Sequence, residues 1–586
     1  MNFIKKLFKN KYLQDVMIIF SFAMITIFMT YPKIKTGNIE VYSDWSFHGL
    51  RAEQIFLNLK RGNFLTFIAT DAFQHTGVGN FLFYPTVFLY PWATLRLFFK
   101  PVTAFYCWYG LIMLMTFIIA YFSMKAFSKR RIAAMVFSLS YTLGAYHLYL
   151  STAVFGEFIA ASFLPLAFWA FYETLFRNDS KWPWLGIGMS LIIYSHVLSV
   201  FITSEIMFVI FVLKLIFDKI SKKRFLALTK AAGLSFMLNL FIIVPYLTDF
   251  IGKNVTSAQP GVNPVMVRTL MNVLETSFNN SISPVSPSGI GLVLILTAVF
   301  GSLWILKSHS KTLTAIYVLG ISLIIVSTGS FPWNVLSDTP LGMIQLPVRY
   351  LSYASMFLSV ILGLAVKDLY ESETFDTTFK KGMVPVLVIC IFMLFYAGFH
   401  HDSLNTLKNS QSQFLKNTDT FNQLPDRTFV NNSNYDYLLN YPVKYGELDY
   451  YPEKARRSTG VVSYNETNLS IINNIAVVGR KKIHVSPLCE SNKMTYKLHT
   501  RKQADVDLPA LRYKGSYAEL NGKRTTLINS ARGTIKVRTK KGINTITVGY
   551  SPSKLYYVGI IISVMTWISL LVLSFYRKGV FKINHE

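Results

Sequence analysis

Acidic residues are scarce in this chain of 586 residues: Asp and Glu number 30 against 58 Lys and Arg, for a formal net charge of +28. Charged residues of all kinds make up 15%, where an average soluble domain carries about 25%. A fully water-facing surface is excluded for much of the length. Cysteine is scarcer still. The three present are Cys107, Cys390 and Cys489, the first two inside apolar runs, so no disulfide framework is expected. No CxxC, HExxH or other metal-ligand spacing occurs. Nucleic acid is a poor partner despite the positive charge, because no stacking-and-basic recognition motif accompanies it.

What is abundant is apolar. Hydrophobic residues reach 52% and aromatics 15%, gathered in runs of roughly twenty separated by short basic clusters, the pattern of membrane-spanning helices. The basic start Met1–Lys11 precedes a run too long for a signal peptide, which reads as an uncleaved anchor with a cytoplasmic N-terminus. Spans are expected at about 13–31, 103–124, 131–150, 157–176, 184–198, 199–217, 229–249, 288–306, 313–329, 347–366, 383–399 and 555–576. That ordering puts the clusters Lys125–Arg131, Lys219–Arg224, Lys307–Lys311, Lys380–Lys381 and Arg577–Lys582 inside, as the positive-inside rule requires. The stretch 81–99 would spoil this agreement as a span, and Pro85 and Pro91 interrupt it. It is expected instead as an interfacial or re-entrant helix in a first outer loop over 33–102.

The expected fold is therefore a mainly α membrane protein, about 12 transmembrane helices over 1–399, with an extracytoplasmic domain over 400–553 and a last helix and basic cytoplasmic tail over 554–586. Period-two segments such as Gly533–Thr539 and Asn544–Tyr550, with turn signals at Asn521-Gly522 and Lys541-Gly542, predict antiparallel sheet there, sandwich-like. The domain carries 23 Lys and Arg against 12 Asp and Glu, a charge suited to an anionic envelope polymer or lipid headgroups.

Given that topology, ionisable residues gather at the outer ends of several helices. Val41-Tyr-Ser-Asp-Trp-Ser-Phe-His-Gly-Leu-Arg51 places Asp44, His48 and Arg51 at spacings of four and three, one face of a helix. His147 closes the third span, Glu157 opens the fourth in Gly156-Glu-Phe158, His196 ends the fifth, and Arg349 opens the tenth in Gln345-Leu-Pro-Val-Arg349. Ionisable groups at membrane depth are costly and face cavities or partners. An outer-leaflet carboxylate can serve as general base, and arginine with histidine can bind a phosphate leaving group. Trp45, Tyr84, Tyr90 and Trp92 offer rings for a sugar face or an interface belt. Glu205 is the clearest charge deep in a span.

An acid just after the first span, a long first outer loop with a Pro-interrupted helix, many spans and an outer C-terminal domain resemble the GT-C glycosyltransferase superfamily. More narrowly, His147 through Phe158, Pro165-Leu166, Ser195-His196 and Gln345–Arg349 resemble a bacterial membrane family labelled "6-pyruvoyl-tetrahydropterin synthase-related", close to YfhO-like proteins of Gram-positive bacteria. No cluster of three histidines accompanies the pterin label here. The resemblance implies a multi-pass protein of the bacterial cell membrane that transfers a sugar from an undecaprenyl-phosphate carrier to an envelope polymer or glycolipid. Asp44 takes the loop-one acid's place and Glu157 is a second acid. His48, Arg51, His147, His196 and Arg349 surround the phosphate. Metal-dependent members carry an Asp-x-Asp pair in an outer loop, whereas Ser43-Asp44-Trp45 offers one acid, so neither cofactor nor metal is expected. A flippase of lipid-linked saccharide and a non-enzymatic wall-assembly scaffold are the competing readings.

Overall fold

The computed structural model describes residues 10–256, 262, 267–283, 289–373, 376–408, 413–417, 423–456 and 464–583. The basic residues 1–9 and the extreme C-terminus 584–586 lie outside the described residues. Among the described residues, six helices are long and apolar enough to cross a membrane, and two bent pairs, Phe155–Ala161 with Leu164–Arg177 and Lys222–Leu238 with Leu240–Phe250, bring the number to eight if each pair is one span. The chain is a mainly helical, multi-pass membrane protein with a C-terminal β region. Other apolar stretches also fold as helices close to where the sequence places them, but shorter: Leu292–Ser308 and Lys311–Val326 have 17 and 16 residues, and the expected span at 131–150 breaks into Arg131–Thr142 and Ala145–Ala153. Twelve full crossings are thus more than helix length and composition support.

Helix α1 (Lys11–Thr36) starts where the Asn10 side chain accepts the Tyr12 amide at 2.9 Å and stops at Gly37, whose φ of +71° admits the left-handed turn. Thr26 and Thr30 donate back to the carbonyls of Phe22 and Thr26, so neither hydroxyl burdens the apolar face. Near its start, Asp15 accepts from Tyr121, Lys125 and Arg131, drawing three helices together.

The chain then forms strand β1 (Asn38–Tyr42), which pairs antiparallel with β2 (Arg427–Asn431), Glu40 meeting Arg427 at 2.6 Å. Helix α2 (Trp45–Lys60) follows at once. Its Glu53 takes both arms of Arg96 at 2.9 and 3.0 Å, and the Gln54 side-chain oxygen accepts the amides of Thr70, Asp71 and Ala72. The loop is thereby a built structure. The single interfacial helix expected over 81–99 does not form: Pro85 removes an amide donor, leaving Asn80–Phe83 and α3 (Leu89–Arg96).

The β region is a sandwich. One sheet runs Thr534–Thr539, Ala504–Leu511, Ile475–Val478, Lys481–His484, and the other Leu488–Glu490, Lys493–Thr500, Gly542–Tyr550, Ser516–Leu520, Lys523–Thr525. Their inward residues, among them Val506, Leu508, Val537, Tyr496, Ile546 and Val548, make a core of their own. That core begins at Ala476, not near 400. Phe429, Val430, Tyr435, Leu438, Tyr451 and Ile471 belong instead to the core of the helical part, so a domain boundary at 400 cuts through packed structure. Asn492 fastens the sandwich to the loop, accepting from Phe67 N at 2.7 Å and donating to the Leu65 carbonyl at 2.7 Å.

The buried Glu53–Arg96 pair sets a stability prediction. Arg96→Ala leaves an uncompensated buried carboxylate and lowers unfolding stability by about 3–5 kcal/mol, whereas the double change Glu53→Leu with Arg96→Met recovers most of it. Denaturant unfolding in detergent checks both, and equal losses in the two variants refute the account.

Candidate functional site

Asp44 occupies the N-cap position of α2, where an aspartate usually accepts helix amides, yet its side chain makes no capping bond. Ser43 before it has φ +49°, a conformation costly for a residue with a Cβ. A strained turn thus delivers a half-buried carboxyl that its own helix does not use. Burial pushes the Asp44 pKa up to about 6, with Asp449 adding to the rise and Arg349 opposing it.

Arg349 ends the short turn Pro347–Arg349, just ahead of the helix Tyr350–Glu371. Its Nε lies 3.8 Å from Glu157 Oε2, both side chains buried. Ser352 donates to the other Glu157 oxygen at 2.7 Å. Among the described residues, Arg349 Nε and one terminal nitrogen have no hydrogen-bond partner, and neither does Glu157 Oε2. Glu157 therefore faces the guanidinium as charge without consuming its donors.

Gly156 explains why glycine precedes that acid. A Cβ there would stand 2.4 Å from the Tyr84 hydroxyl and 2.7 Å from His196 Cδ2, so only glycine lets both rings close on the helix Phe155–Ala161. His196 caps the helix Val197–Phe217, its Nδ1 lying 2.8 Å from Ser199 Oγ and accepting the Ser199 amide at 3.3 Å. An accepting Nδ1 leaves the proton on Nε2, free to donate. His48 is held neutral: burial, Arg51 and His196 all keep its pKa well below the usual value. Its ring packs 5.4 Å from Tyr84 and 6.1 Å from Phe155.

The arrangement brings Asp44, His48, Glu157, His196 and Arg349 into one neighbourhood. Two expected members stand differently. Arg51 donates to the carbonyls of Tyr84 and Pro85 at 2.8 and 2.9 Å and lies over the Tyr84 ring, which makes it a brace for the Tyr84 turn. His147 packs against Tyr141 and Phe158 with neither ring nitrogen partnered among the described residues, while Tyr146 and Tyr149 are the residues of that helix within charge range of Glu157 and Arg349. The proposed sugar platforms also divide. Trp45 and Trp92 are buried in a ladder with Phe105, Trp108 and Phe155, whereas Tyr84 and Tyr90 remain half-buried. Glu205 is not a lone charge in its helix but accepts from the Tyr350 hydroxyl at 2.7 Å.

Sequence reasoning missed Asp449, which faces Asp44 from the far end of the chain. It missed Ser352 too, one small polar residue in an apolar helix. Neither sits in a periodic pattern or motif. No group of three or more metal-binding side chains occurs among the described residues.

No family model matches the chain, and no curated protein matches it. Among solved structures, the chain is similar to the crystal structure of ArnT from Cupriavidus metallidurans bound to undecaprenyl phosphate, at 11% identity and a TM-score of 0.43, over 74% of this chain and 86% of that one. At this distance no residue role passes from one chain to the other.

The Asp44 environment predicts an inverted stability profile. A carboxyl whose native pKa of about 6 exceeds its ordinary 3.8 binds its proton more tightly when folded. Its ionisation therefore costs nothing below about pH 4, and the cost grows until pH passes about 6. Asp44→Asn should raise stability at pH 7.5 by roughly 1–2 kcal/mol, allowing for the carboxyl's partial exposure, and leave it unchanged at pH 4. Melting curves at the two pH values decide this; a variant no more stable at pH 7.5 contradicts it.

Proposed function

We propose that the protein is an integral membrane glycosyltransferase of GT-C type, moving a sugar from a polyprenyl-phosphate carrier to an envelope polymer or glycolipid on the outer face of a bacterial membrane. The observation that carries the reading is the meeting of Asp44, a carboxyl that among the described residues neither caps its helix nor pairs at close range, with Arg349, a buried guanidinium whose Nε and one terminal nitrogen find no hydrogen-bond partner among them. A base for a hydroxyl and a cation for a leaving phosphate are the two parts that such a transfer requires.

In this scheme the acceptor hydroxyl gives its proton to an Asp44 oxygen as its own oxygen attacks the anomeric carbon. The bond from that carbon to the carrier phosphate breaks, its electron pair staying on the phosphate oxygen. Arg349 and His196 Nε2–H take up the charge that develops there. Attack opposite the departing phosphate inverts the anomeric centre. Glu157 orients Arg349, and Asp449 keeps Asp44 basic by disfavouring a second negative charge nearby. Tyr84, set by Arg51, supplies an aromatic wall for the sugar. The lipid tail would lie among the apolar helices. No metal is called for in these steps, so a chelator should leave the rate unchanged.

The flippase reading calls for ionisable groups along a path through the spans, and its best candidate, Glu205, is bonded to Tyr350. The scaffold reading cannot be separated by deleting 400–553, because that segment supplies both Asp449 and part of the shared core. Point changes separate all three.

Purified protein in liposomes, given a labelled undecaprenyl-phosphate sugar and an envelope acceptor fraction, should lose about 10²–10⁴-fold in transfer rate on Asp44→Asn. Arg349→Ala should fall by a comparable factor. The wild-type rate should rise with pH through about 6 as Asp44 ionises. Normal transfer by Asp44→Asn would remove Asp44 from the mechanism, and translocation of label with no product would favour the flippase.

A further inference from the structure

Away from Asp44, a cleft of about 390 Å³ opens where the bent helix pair ending at Phe250 meets the sandwich. Four cations line it, Lys253, Lys454, Arg512 and Lys514, against one acid, Asp249. Three segments far apart in sequence deliver them. Lys253 and Lys454 lie on neighbouring segments bridged at Val255 and Pro452, with the Glu453 amide donating to the Asn254 carbonyl at 2.8 Å and the Tyr450 amide to the Thr256 carbonyl at 2.9 Å. Arg512 and Lys514 flank Tyr513, whose hydroxyl donates to the Tyr450 carbonyl at 2.8 Å and accepts the Gly79 amide at 2.9 Å. Gly533 closes the side. A Cβ there would meet Lys454 Cβ at 3.2 Å, so the sandwich turn presses directly on the segment carrying Lys454.

Elsewhere the sandwich pairs many of its cations: Lys536 and Arg538 with Asp505, Arg532 with Asp507, Arg524 with Glu519. Among the described residues, none of the four cleft cations has a carboxylate at ion-pair distance. Arg512 commits one N–H to the Ile528 carbonyl at 3.0 Å. Asp249 accepts from Thr248 Oγ1 at 2.6 Å through Oδ2. Four positive side chains less one acid leave the lining at +3. Like charges held around one concavity repel, and a multivalent oxyanion relieves that repulsion while offering several acceptors.

We propose that this cleft binds a phosphate-bearing anion, supplied either by a lipid headgroup or by a free phosphate. The site is separate from the Asp44–Arg349 cluster and does not depend on the transferase reading. Its place at the end of a membrane-type helix pair suits a headgroup, and its openness admits a soluble anion as well.

The test uses full-length protein in neutral detergent, titrated by calorimetry with inorganic pyrophosphate and, separately, with short-chain phosphatidylglycerol, phosphatidylcholine serving as control. At least one of the two phosphate probes should bind, with affinity falling as salt rises. The triple variant K253Q/K454Q/K514Q should weaken that binding roughly tenfold or more. Binding of phosphatidylglycerol alone identifies a headgroup site, and binding of pyrophosphate alone a soluble-anion site. K454E, a single change at an exposed side chain, should show the same loss if the triple variant does not fold. Asp44→Asn should leave the binding intact, which keeps failure of this site distinct from failure of the transferase reading. No binding of either probe, or undiminished binding in both lysine variants, overturns the proposal.

Discussion

The antiparallel pairing of Asn38–Tyr42 with Arg427–Asn431 is the constraint on which the rest of the site depends. It fixes the exit of the first helix, and at the very next residue, Ser43, the chain must turn sharply to begin α2. Asp44 is aimed by that turn. The same pairing returns the chain beyond residue 400 to the first loop, so that Asp449 arrives opposite Asp44 and Tyr450 opposite Tyr513. The first loop thus shares its site with a segment some four hundred residues away in sequence.

Much of the helical plan was legible because apolar runs of span length have few other uses, and the period-two pattern past residue 533 announced its sheet. The acid after the first span and the arginine of Gln345–Arg349 could be found for a related reason. A charge beside apolar sequence stands out. What could not be read was commitment. Arg51 and Arg349 look alike in sequence, yet one is bonded to two backbone carbonyls and the other keeps donors free. His147 and His196 both border apolar runs, yet His147 lies in the first turn of Ala145–Ala153 packed on Tyr141 and Phe158, while His196 caps Val197–Phe217 beside Gly156. Trp45 and Trp92 have the composition of a sugar platform, but they pack against each other and are lost to ligand. Asp449 was invisible because nothing local marks it and its partner precedes it by some four hundred residues.

Gly156 sharpens the meaning of the Gly-Glu-Phe stretch. The glycine is a matter of clearance: without a Cβ, Tyr84 from the first loop and His196 from a helix junction meet over one backbone position. The loop and the helical bundle thus share a contact too tight for any other residue, and Glu157 follows it already aligned with Arg349.

The ion pair between Glu40 and Arg427 joins residues 387 positions apart. During synthesis, strand Asn38–Tyr42 emerges early and stays an open edge until β2 follows, after nearly all the helices have been made. Such an edge invites wrong partners, and closing so long a loop is slow. Assembly of this cluster therefore waits for β2, and a chain truncated before β2 would carry most of its helices but hold Asp44 on an unanchored loop.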